Sequence, residues 1–91
     1  MSEPIDIGCD VTISFVEYKG ERCGLIEEHP SSKSPTGRCS GFIAFRGTLY
    51  GDSTPPVWDV VSMEPLTLAP SLLCRTCGHH GFIVGGKWKP A

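Results

Sequence analysis

The stretch Cys74-Arg75-Thr76-Cys77-Gly78-His79-His80 sets two thiols three residues apart and follows them with two imidazoles. Thiolate sulfur and imidazole nitrogen are donors that suit tetrahedral zinc, and a tight turn at glycine can aim both sulfurs at one point. A C-x2-C pair also serves dithiol redox chemistry, but that chemistry wants a βαβ setting with the first cysteine at a helix N-terminus. No stretch of this chain has a convincing helical period. The spacing therefore predicts a zinc knuckle, with unligated structural thiols as the plain alternative.

Within the knuckle His80 is preferred over His79, giving C-x2-C-x2-H. Neighbouring side chains on extended backbone point opposite ways, so the two imidazoles do not share one ion. His79 then reads as a residue behind the ligands or as an ordinary surface histidine. A fourth ligand must come from upstream. Cys39 is the first choice, Cys23 the second and His29 the third, while Cys9 reads as a free thiol. The expected set is Cys39, Cys74, Cys77 and His80 around one Zn2+. A shell closed by four protein ligands is structural, whereas a vacancy filled by water would open the way to hydrolysis.

Other candidate chemistry is weaker. Glu27-Glu28-His29 resembles part of a metalloprotease helix motif, but the segment reads as a strand and lacks a second histidine four residues on. Ser71 has no oriented base in view and reads as a turn hydroxyl. Asp52, Asp59 and Glu64 read as solvated carboxylates. Trp58, Trp88, Phe42 and Phe82 are expected in the core, with a contact surface as the alternative for Trp88.

The elements that must position these residues are strands. From Asp10 to Tyr18 the chain alternates, with Val11, Ile13 and Phe15 on one face, which is the period of a strand. Lys19-Gly20 predicts a hairpin turn into a return strand over Arg22–Glu28. The segment His29–Arg38, rich in proline and serine, predicts an exposed loop. A strand over Cys39–Phe45 is expected to turn at Arg46-Gly47 and return through Thr48–Tyr50, followed by a loop at Asp52–Pro56. Val57–Met63 reads as a strand. Leu66–Leu73 reads as an edge strand or connecting arm, because Pro65 and Pro70 punctuate it. Gly81–Val84 and Lys87–Lys89 predict a hairpin around Gly85-Gly86. Gly41-Phe42-Ile43 and Gly81-Phe82-Ile83 echo one another, each after Cys or His residues, as in the paired hairpins of a zinc ribbon.

Composition bounds the rest. At 91 residues the chain suits one domain, and a domain this small buries only roughly 60–65% of its unfolded surface, so a metal staple is a natural supplement. Eleven glycines and eight prolines favour many turns over long helices. A net charge of −2 with scattered basic residues argues against a nucleic-acid footprint. The first residues carry neither a basic region nor an apolar run, and no segment has the length of a membrane span. The expected setting is a reducing cytosol, where five cysteines suit metal better than disulfides.

Trp58, Pro65-Leu66-Thr67-Leu68-Ala69-Pro70-Ser71-Leu72-Leu73 and Cys77-Gly78-His79-His80-Gly81-Phe82-Ile83-Val84-Gly85-Gly86-Lys87-Trp88 together resemble a family of small phage and actinobacterial proteins. Its pattern is a tryptophan strand, then P-T-L-x-P-S-L, then C-x-x-H before a hydrophobic pair and a glycine turn. The resemblance covers about the last forty residues. It implies metal binding, with Cys77 and His80 as ligands and some relatives beside ubiquitin-like conjugation genes, but it implies no reaction. The family often carries a tight upstream cysteine cluster that this chain lacks, and Cys74 would stand in for it.

The expectation is an all-β domain over residues 1–91, a zinc-ribbon-like set of hairpins pinned by one zinc ion. It would be a cytoplasmic, phage-borne, non-enzymatic module meeting a protein partner through His29–Arg38 or the Gly85–Gly86 tip. A zinc hydrolase with an open metal position is the alternative.

Overall fold

Apolar–polar alternation carries most of this chain into strands, and the computed structural model, which describes residues 3–48, 51 and 56–91, is all-β. No helix occurs among the described residues. The first sheet runs in sequence order through β1 (Ile5–Asp6), β2 (Thr12–Tyr18), β3 (Glu21–Pro30) and β4 (Arg38–Ala44). A second sheet pairs β5 (Asp59–Met63) with β6 (Leu66–Ala69). The third orders β7 (Leu72–Leu73), β8 (His80–Val84) and β9 (Lys87–Pro90). All these pairings are antiparallel.

The two expected tight hairpins form for the expected reason. Lys19 and Gly20 both have positive φ (53° and 82°), as do Gly85 and Gly86 (59° and 77°). This is the backbone that lets a two-residue turn follow strand twist. Between them the three sheets close over one apolar cluster. Ile7, Val11, Ile13, Phe15, Leu25, Ile43 and Phe45 come from the first sheet and its flanks, Leu66 and Leu68 from the second, and Leu72, Ile83 and Trp88 from the third.

Two expectations about the first sheet change. His29–Arg38 is not wholly a loop: β3 runs through His29 to Pro30 and β4 begins at Arg38, so only residues 31–37 connect them. Ser31 N–H closes that connection on the Gly37 carbonyl at 2.9 Å. The segment from Cys39 does not return on itself within the described residues. β4 pairs with β3, and Phe45 bridges Trp58 in parallel. Leu49, Tyr50 and Asp52–Pro55 lie outside the described residues.

The Gly-Phe-Ile echo is an echo of strand alternation. Ile43 and Ile83 are buried, whereas Phe42 and Phe82 are 43% and 39% exposed. Consecutive residues of a strand face opposite sides, so seating the isoleucine inside puts the phenylalanine out. Neither phenylalanine is core, contrary to expectation. Trp88 is buried and Trp58 packs against the cluster.

Candidate metal centre

The inward face of β3 reads Cys23, Leu25, Glu27, His29, so it passes from apolar core to polar site within one strand. Its partner β4 places Ile43 opposite Leu25, Gly41 opposite Glu27 and Cys39 opposite His29. Directly paired residues project to the same face. The imidazole and the Cys39 thiol therefore leave the sheet side by side, at the end of the ladder farthest from the β2–β3 turn.

The other half comes from the segment joining β7 to β8. Gly78 N–H bonds the Cys74 carbonyl and Cys74 N–H bonds the His79 carbonyl, each at 2.8 Å. Gly78 has φ +79°, which glycine adopts without a Cβ penalty. This turn gathers Cys74 and Cys77 and presents them to His29 and Cys39. One donor atom from each of His29, Cys39, Cys74 and Cys77 can be chosen so that all lie within 4.8 Å of one another. A tetrahedron with metal–sulfur bonds of about 2.3 Å has edges of about 3.8 Å, so a small contraction completes it. Three thiols and one imidazole form a donor set that can hold a metal ion.

Around this shell lies a second layer of contacts. His29 Nε2 stands 3.2 Å from Cys77 Sγ, while Nδ1 lies 2.7 Å from a Glu27 carboxylate oxygen. A carboxylate on the far nitrogen would fix which nitrogen faces a bound ion and orient the ring. Both His29 and Glu27 are buried, and both hold their proton more tightly than in water. Burial raises the Glu27 value and its bond to His29 offsets only part. Burial works the other way on His29, but its bonds to Glu27 and Cys77 outweigh it.

The thiols are also differentiated. The His79 main-chain N–H hydrogen-bonds Cys77 and draws its pKa down to about 6 against burial, helped by His29, Ser31 and Cys74. At Cys39 the Ser31 hydroxyl pulls the value down, but burial and the negative charge of Cys74 and Cys77 leave it raised. Ser31, itself buried, thus has its hydroxyl within reach of two of the four ligand candidates. A low-pKa thiolate with N–H and O–H donors is a prepared ligand.

His79 has a place of its own. Its ring stacks on His29 at 4.1 Å between centroids and 6° between planes, and on Trp88 at 4.8 Å and 23°. The buried indole and His79 therefore back the His29 ring like a wall. Its pKa is lowered, first by burial and then by the charge of His29.

His80 is not in the cluster. As the first residue of β8 its side chain is exposed, with Nε2 2.7 Å from Ser71 Oγ. Strand alternation carries it to the face opposite Gly81 and Ile83, away from the thiols. Among the described residues no carboxylate orients its other nitrogen, so the Ser71–His80 contact lacks the third member of a hydrolytic triad. His29 occupies the position that the knuckle alone suggested for His80. Cys23 is fully buried near the opposite end of β3, and Cys9 is exposed. Asp59 pairs with Arg46 at the surface. What sequence reasoning ranked too low was His29, and the available signal was its alternation with Leu25 and Glu27.

A cleft of about 220 Å3 opens beside the cluster, lined by residues that include Glu27, His79, Phe42, Trp58, Leu73 and Arg75. Comparison with protein-family models, with curated proteins and with solved structures finds no match.

Proposed function

We propose that His29 Nε2 and the sulfurs of Cys39, Cys74 and Cys77 bind one zinc ion as a structural clasp, in a small non-enzymatic module that binds another protein. The observation that carries this reading is the convergence of those four donors from two distant parts of the chain. Zinc suits the set, because three thiolates and an imidazole make a common closed tetrahedral shell. A clasp between the first and third sheets would supply folding energy that a core of this size provides sparingly. The resemblance of the C-terminal motif to small phage proteins supports a phage-borne accessory role. Reliance on reduced thiols supports the cytoplasm as its place of action.

The alternative is a zinc hydrolase, and the cleft beside Glu27 and His29 is the feature in its favour. Four protein donors leave no position for water, however, and the Glu27 carboxylate is engaged with His29 Nδ1. The closed clasp is therefore the better reading. Elemental analysis of the purified protein tests it: about one zinc per chain is expected, lost together with folded structure in Cys77→Ser. A metal-free preparation that unfolds cooperatively would overturn it.

A further inference from the structure

The net charge of −2 conceals a division along the chain. All ten acidic residues lie at or before Glu64, whereas three of the eight Lys and Arg residues, Arg75, Lys87 and Lys89, lie beyond it. The last 27 residues contain no carboxylate side chain, and they comprise β6, the third sheet and its knuckle.

The outer face of that sheet is built by alternation. On the central strand β8, Gly81 and Ile83 are buried while His80, Phe82 and Val84 are exposed. On β9 the indole of Trp88 turns inward and Lys87 and Lys89 turn out. Register places Lys89 opposite Phe82, Lys87 opposite Val84 and Leu73 opposite His80. The result is a central row of His80, Phe82 and Val84 with two ammonium groups along one side and Leu73 on the other. Leu73, Phe82 and Val84 are 55%, 39% and 44% exposed. Leu73 on β7 with Phe82 and Val84 on β8 thus put three large apolar side chains on one sheet face, a surface that water solvates poorly.

We infer that this face docks an acidic protein segment in which carboxylates alternate with apolar side chains. The inference rests on the module reading above and names the chemistry of its partner. Apolar side chains of the segment would cover Leu73, Phe82 and Val84, and its carboxylates would meet Lys87 and Lys89. Charge complementarity of this kind sets partner choice and encounter rate. A single-stranded nucleic acid is less well served. His80 and Phe82 offer rings for a base to stack on but Leu73 and Val84 do not, and the acidic remainder of the molecule repels polyphosphate.

The test uses the full chain loaded with zinc, a displayed library of random short peptides, and purified synthetic versions of the winners. Enrichment of sequences that interleave Asp or Glu with apolar residues is expected. Their affinity should fall at least about tenfold in the double variant Lys87→Glu/Lys89→Glu and in Phe82→Ala, and should weaken with added salt. The charge-conserving pair Lys87→Arg/Lys89→Arg should retain binding. Absence of such enrichment, or peptides indifferent to charge reversal, overturns the inference. So does tighter binding of oligo-thymidine dependent on the same lysines, or self-association abolished by the double variant. Zinc content measured on every protein separates the two proposals: wild type lacking zinc would fail the clasp, whereas zinc-replete protein with no peptide binding fails only the face.

Discussion

His29 and Cys39 stand directly opposite each other across the β3–β4 ladder. Ten residues apart in sequence, they are neighbours because the ladder runs on to Pro30 and Arg38 before the chain turns. This register sets His29 beside Cys39, so that His29, rather than His80, joins the three thiols. Replacing His29 with Ala should weaken zinc binding by more than the roughly 10–100-fold typical of losing an outer partner. His80→Ala should leave zinc stoichiometry unchanged. Competition with a chromophoric chelator measures both, and equal loss in the two variants would contradict the assignment.

Glu27 acts through His29. Glu27→Gln keeps the size and burial of the side chain but removes the carboxylate charge behind the ring. Zinc affinity should drop roughly 10–100-fold while stoichiometry at saturating zinc stays near one. An unchanged affinity in the same competition assay would show that the Glu27–His29 contact is packing alone.

Metal removal should be a folding experiment. Structural zinc in small domains contributes on the order of 10 kcal/mol of apparent folding free energy at neutral pH. Treatment with a strong chelator under reducing conditions should abolish the cooperative thermal transition followed by Trp fluorescence, and zinc should restore it. A transition that persists after zinc is shown to be gone would place the stability in the apolar cluster instead.

Phe82 and Ile83 are adjacent in sequence and opposite in consequence. Ile83 is fully buried, so Ile83→Ala should cost about 2–5 kcal/mol in urea titration of the metal-bound protein. Phe82→Ala, on the outer face, should fall within about 1 kcal/mol of wild type. Reversal of that order would mean that the third sheet has the other face inward.

Gly81 admits Trp88 against the backbone of β8. A Cβ there would collide with the indole ring and with the Lys89 carbonyl. Because Trp88 backs His79, which backs His29, the displacement would reach the candidate metal centre. Gly81→Ala should destabilise by about 1–3 kcal/mol and also weaken zinc binding, whereas Gly41→Ala, with open space at its Cβ, should do neither.

The residues alone determined the local architecture and half of the site. Alternation over Val11–Phe15 and glycine at Gly20, Gly85 and Gly86 are properties of a few neighbouring residues. The all-β character and both tight hairpins were therefore legible, as was the C-x2-C knuckle, whose glycine turn needs no distant partner. Tertiary structure decided the other half. His29 sits in a stretch whose prolines and serines read as loop, yet it lies in the ladder, because Cys39 follows at the distance that pairs them. Which of Cys23, Cys39 and His29 approaches the knuckle depends on how the first sheet packs on the third. That packing is set by Leu25, Ile43, Ile83 and Trp88 together, and no short window of sequence contains them. Local periodicity specifies which face a side chain takes; only the closed core specifies what it meets there.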